Sequence, residues 1–115
     1  MQFLLTIHQD EKASAKATDT ERAAIFASYG AYTQELKASG VMKGGEALHP
    51  SSQSSRVAVR EGKRNVVDGP FSEAKEVLGG FYLIDCQNRE EAVKWAAKCP
   101  GAIHGTVGVH AIRAM

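Results

Sequence analysis

Three residues have side chains suited to proton chemistry near neutral pH: His8, Asp68 and His110. His8 ends the run Gln2 to His8, in which Phe3, Leu5 and Ile7 alternate with Leu4, Thr6 and His8. That period of two predicts a strand carrying His8 on the face of Leu4 and Thr6. His110 lies in Thr106 to Arg113, where Val107, Val109 and Ala111 oppose Gly108, His110 and Ile112. A neutral imidazole near a carboxylate such as Asp68 acts as a general base near pH 7. The alternative is a hydrogen-bonded histidine at a subunit seam. Asp68 stands before Gly69-Pro70-Phe71. It either accepts hydrogen bonds from the amides of its own turn, as an organiser, or serves as a reagent. His49 and His104 are flanked by turn residues and are expected in solvent.

No stronger motif competes with these candidates. Gly44-Gly45 and Gly79-Gly80 lack the spacing and the lysine of a phosphate loop. There is no Gly-x-Ser-x-Gly elbow and no histidine pair at metal-ligand spacing, so neither a metal nor a cofactor is expected. Cys86 and Cys99 form no disulfide framework or zinc pattern and read as small buried apolar residues.

The elements that must position these residues follow from periodicity and punctuation. Phe3 to Ile7 is apolar on nearly both faces, as in a central strand covered twice. Residues 9 to 17 read as a solvated connection. Thr18 and Glu21 stand at capping-box spacing ahead of a helix with the stripe Ile25, Tyr29, Tyr32 and Leu36, closed by Gly40. Tyr29 and Tyr32 are core residues on one reading and line a pocket on the other. Val41 to His49 is a weaker strand and Pro50 to Ser55 a serine-rich loop. Arg56 to Val67 is a hairpin turning at Glu61-Gly62, with Arg56, Arg60, Lys63 and Arg64 on a solvated outer face that protects an edge.

Gly69 and Pro70 force the next turn. Ser72 to Val77 reads as a short capped helical turn ended by Gly79-Gly80, with a strand from Phe81 to Cys86. Asn88 caps a helix from Arg89 to Lys98, with Ala92, Val93, Ala96 and Trp95 on its buried side and Pro100-Gly101 stopping it. Without the hairpin, the order is strand, helix, strand, strand, helix, strand. That order suits a split βαβ sandwich with both helices on one face of an antiparallel sheet. The other face needs a cover, and a two-fold partner is the economical one.

Composition narrows the class further. A chain of 115 residues, 43% hydrophobic, fits one domain, residues 1–115, although this size buries only about 65% of its unfolded surface. A net charge of +1 provides no field to gather phosphates, which disfavours direct nucleic-acid binding. No leader pattern or membrane-length apolar run occurs, so a cytoplasmic protein is expected.

The run Asp68-Gly69-Pro70-Phe71, with Lys75-Glu76 and Gly79-Gly80-Phe81-Tyr82-Leu83-Ile84, resembles the signature of the DGPF-domain, YCII-related proteins. The likeness extends from Phe3-Leu4-Leu5 through Tyr29-Gly30-Ala31-Tyr32-Thr33 and Gly45-Glu46-Ala47-Leu48 to the last strand. It implies a ferredoxin-like α+β domain pairing as a dimeric α+β barrel. In that fold the first and last strands are neighbours, and His8 sits at the rim of the barrel interior. A His and Asp dyad associated with the first helix of the namesake proteins does not carry over, because Asp19 to Ser39 holds no histidine and no aspartate beyond its first turn.

Two functions fit the resemblance. One is a dimeric small-molecule-binding protein or enzyme, with a pocket between the strands, the first helix and the Asp68 turn. Its candidate catalytic residues are Asp68, His8 and His110, and its candidate ligand contacts Tyr29, Tyr32, Phe71 and Tyr82. The other is a non-enzymatic accessory protein linked to alternative sigma factors, using the hairpin's basic edge as a protein contact.

Overall fold

The computed structural model describes residues 1–115. β1 (Gln2–Gln9) is followed by a short helix, α1 (Glu11–Ala15), and a long one, α2 (Asp19–Ala38). β2 (Met42–Ala47) leads through a single 3-10 turn at Ser51–Gln53 to the hairpin β3 (Ser55–Arg60) and β4 (Lys63–Asp68). β5 (Val77–Asp85), α3 (Arg89–Lys98), α4 (Gly101–His104) and β6 (Thr106–Ala111) complete the chain.

The main sheet has the order β2-β5-β1-β6 and every pairing in it is antiparallel. With helices after its first and third strands, this is the ferredoxin-like α+β fold. Alternation in β1 determines which face is buried: Phe3, Leu5 and Ile7 lie under the helices, beside Tyr82 and Ile84 of β5. Tyr32 and Leu36 of α2 and Ala92 and Ala96 of α3 close this core from above. The opposite face carries Leu4, Thr6 and His8 of β1 with Phe81 and Leu83 of β5, all half-buried. The molecule is only 18 Å deep along its thinnest axis, the depth of one helix layer on one sheet, so that face is open within the chain.

Local chemistry accounts for the element ends. Thr18 and Glu21 form both halves of the capping box on α2, and Gly40 follows with φ 76°, a conformation that glycine adopts without strain. Of the expected stripe, Tyr32 and Leu36 are buried and Ile25 and Tyr29 half-buried. Asn88 accepts from the Glu91 amide to cap α3, and Lys12 and Ala13 amides donate to Asp10, which caps α1. Residues 9–17 therefore contain a capped helix, where a plain solvated connection was expected.

Further expectations are corrected. Ser72 to Val77 forms no helix, and β5 starts at Val77 instead of Phe81. Gly79-Gly80, read as a stop, runs inside the strand: β1 pairs Ile7 with Gly80 and His8 with Leu78, leaving Gly79 as a bulge. A Cβ on Gly80 would stand 2.9 Å from the Glu46 carbonyl oxygen, so the bare backbone lets β2 approach. Val93 is exposed on α3, although Ala92 and Ala96 beside it are buried. In the hairpin, cross-strand register pairs Val57 with Val66 and Val59 with Arg64. Arg64 thus shares the valine face, while Arg56, Arg60 and Lys63 share the other.

Candidate functional site

The signature turn holds down a loop. Ser55 and Asp68 face each other at the base of the hairpin, and the Ser55 hydroxyl donates to Asp68 Oδ1 at 2.7 Å. Asp68 accepts nothing from its own turn. One residue on, the Gly69 amide donates to the Ser54 carbonyl at 2.8 Å. A Cβ on Gly69 would lie 1.7 Å from the Ser51 carbonyl oxygen, so only glycine admits the loop this close. The Gly69-Pro70 peptide bond is cis.

Ser51 is the buried polar residue of the fold, 5% exposed, and all its polar atoms near this turn are satisfied. Its amide donates to Glu11 Oε2 at 2.6 Å, its hydroxyl donates to Glu11 Oε1, and the same hydroxyl accepts from the Phe71 amide at 3.2 Å. One carboxylate on α1 thereby ties the loop to the turn. Phe71, buried by this arrangement, lies under the Arg56 guanidinium, whose carbon is 3.9 Å from the ring centroid.

Between the tied loop and the end of the sheet is a cleft of about 360 Å³. Leu48, Phe71, Val77 and Leu78 form its apolar walls, and His8, Ser51, Ser54, Arg56 and Glu76 its polar ones. A concave, partly apolar site with a few convergent polar groups has the general form of a small-molecule site.

His8 connects this cleft to the open sheet face. Its Nε2 is 2.9 Å from Thr6 Oγ1, and the same hydroxyl is 3.1 Å from His110 Nε2. Register explains the row, since β1 and β6 pair Thr6 with Gly108 and Leu4 with His110. A Cβ on Gly108 would meet Thr6 Oγ1 at 2.5 Å and His110 Nε2 at 2.7 Å, so glycine clears the space in which the two side chains meet. A threonine hydroxyl has one proton to donate. When both imidazoles are neutral, one Nε2 accepts that proton and the other must carry its own. Once either ring gains a second proton and becomes imidazolium, Thr6 can pass a proton from it to the other, neutral ring along these hydrogen bonds.

Of the candidate residues, the structure brings His8 and Phe71 to the cleft and places His110 behind His8. Asp68 sits at the hairpin base and is not a wall of the cleft. Tyr29 and Tyr32 of α2 and Tyr82 of β5 lie on the other side of the sheet, in the core between helices and strands. Tyr32 donates to the Trp95 carbonyl at 2.8 Å, and the Tyr82 and Thr33 hydroxyls are 2.8 Å apart. Tyr32 meets Tyr82 edge-on at 5.3 Å. Burial pushes all three phenols above their ordinary range, with Cys99 nearby adding to the rise. Burial likewise raises the Cys99 and Cys86 thiols. These are neutral core groups. The residues that sequence reasoning passed over are Glu11, Ser51 and Arg56; for Glu11 the available signal was Asp10, a helix cap directly before it.

Fold and cleft together define a two-layer α+β domain with a site at one end of its sheet. The chain belongs to the YCII-related domain family, whose match covers residues 1–115. A protein of Rhizobium meliloti (strain 1021), itself described as uncharacterised, is 29% identical over 96 residues, covering 84% of this chain and 77% of that protein. Among solved structures, 5-chloro-2-hydroxyhydroquinone dehydrochlorinase (TftG) from Burkholderia phenoliruptrix AC1100, in complex with 2,5-dihydroxybenzoquinone, is similar with a TM-score of 0.55. That match covers 98% of this chain and 94% of the other at 17% identity, a likeness of fold.

Proposed function

We propose that the protein binds a small molecule in the cleft at His8, with Thr6 and His110 as a relay that supplies or removes a proton there. The observation that supports this reading is the coincidence of an apolar-walled cleft with a histidine already linked to a second histidine. The dehydrochlorinase is described in complex with a small molecule, which is consistent with a ligand site on this fold. An open, partly apolar cleft beside a histidine also favours this reading over an accessory protein that uses the hairpin's basic edge.

The second part of the proposal is a homodimer. A copy laid across the open face would cover Leu4, Phe81 and Leu83, and would enclose Thr6 and His110 with the cleft at the rim. The cleft is tested with a fragment library screened by ligand-observed NMR against wild type and Leu78→Trp, in which the indole fills the cleft. We expect fragments that bind wild type to lose binding to Leu78→Trp. Binding undiminished by the indole would overturn the assignment.

A further inference from the structure

We propose that the cleft takes a small organic monocarboxylate with an apolar body, its carboxylate held by Arg56. This rests on the reading of the cleft as a ligand site. The ion pairs of the molecule join Met1 to Asp85, Arg22 to Asp19 and Lys98 to Glu35. Arg56 takes part in none of them, and its guanidinium makes no hydrogen bond within the chain. What it has is the Phe71 ring, at 3.9 Å from carbon to centroid.

That stacking matters for recognition. A guanidinium seated over a ring, as Arg56 is over Phe71, leaves its hydrogen-bonding fork free while losing part of its side-chain freedom before any ligand arrives. Phe71 is a firm support, because its amide is bonded to the Ser51 hydroxyl and its ring is buried. A carboxylate matches the fork with two parallel, charge-assisted hydrogen bonds. Leu48, Val77 and Leu78 of the same cleft would then take the apolar remainder of the acid.

Glu76 sets the limit on charge. It lines the cleft with Arg56 but forms no ion pair with it. One negative and one unpaired positive side chain on the same cleft accommodate a monoanion better than a dianion, since like charges brought together cost binding energy. The inferred ligand class is therefore a monocarboxylic acid, in preference to a dicarboxylate or a phosphate ester.

The test uses the full chain with benzoate, benzamide, benzylamine and phthalate as probes, titrated by amide-resolved NMR. Benzoate is expected to shift the amides of Leu48, Phe71 and Leu78, and to bind about tenfold tighter than benzamide, the ratio for one charge-assisted contact. Arg56→Gln should bring benzoate down to the level of benzamide, Arg56→Lys should fall between, and Glu76→Gln should tighten phthalate. The hairpin is exposed, and overlay of the remaining amide resonances verifies that each variant is folded. Equal binding of benzoate and benzamide in the cleft, unchanged by Arg56→Gln, would leave the ligand site standing and overturn the carboxylate assignment. A preference for benzylamine would overturn it in favour of Glu76 as the anchor. If none of the four probes moves a cleft amide, the carboxylate assignment falls, while fragments lost on Leu78→Trp would still identify a ligand site.

Discussion

At the scale of single residues, the signature divides between a clamp at the hairpin base and a buried latch. Asp68 was read either as an organiser bonded to its own turn or as a reagent; its side chain bonds across the hairpin, as an acceptor for Ser55, and not to its own turn. Its identity and its turn were legible in the sequence. Its partner was not, because the hairpin puts it thirteen positions away. Ser51 was hidden among neighbouring serines, and only the fold shows it between Glu11 and the Phe71 amide. Ser51→Ala should cost about 1 to 3 kcal/mol, the range for leaving buried partners unpaired. Asp68→Asn, exposed and still able to accept from Ser55, should cost less than about 1 kcal/mol. Urea midpoints of the two variants measure both, and a larger loss at Asp68 than at Ser51 would reverse the assignment.

Among the elements, strands with clean alternation were predictable and those shaped by close approach were not. β1 and β6 follow their patterns, and the face of His8 and His110 was correct by parity alone. β5 begins four residues earlier than its glycines suggested, because a glycine pair that ends a helix and one that admits a neighbouring strand look alike in sequence. Gly69 belongs with the second kind. Gly69→Ala places a methyl against the Ser51 carbonyl, and a backbone atom cannot rotate away. We expect a loss of about 3 kcal/mol, the upper end for overpacking. Hydrogen exchange should quicken at Phe71, whose amide the loop protects. Protection equal to wild type at that amide would show that the loop does not depend on the glycine.

For the whole molecule, the ferredoxin-like order was readable because helices and strands are strongly punctuated, and the core followed from it. The cleft was expected between the strands, the first helix and the Asp68 turn; Phe71 of that turn and strand residues line it, but α2 does not, because the long-range pairing of Ser51 with Glu11 and Phe71 places the loop there. The tyrosines that were candidates for the site bear on stability. Burial raises the phenols of Tyr29, Tyr32 and Tyr82 and the thiols of Cys86 and Cys99. The folded chain thus keeps protons that the unfolded chain releases at high pH, so their contribution is fully present at neutral pH and is lost above about pH 9. Urea unfolding at several alkaline pH values should show stability falling, less steeply in Tyr32→Phe. For the proposed dimer, sedimentation should find two chains in wild type and one in Leu83→Glu, which places a charge on the open face. A wild-type monomer would exclude the enclosed arrangement of Thr6 and His110.

Whether ligands enter the cleft at His8 is visible in crystals soaked with a fragment library. Fragment density is expected, bounded by His8, Arg56, Phe71 and Leu78. Density found only elsewhere, with that cleft empty in every soak, would contradict the proposed site.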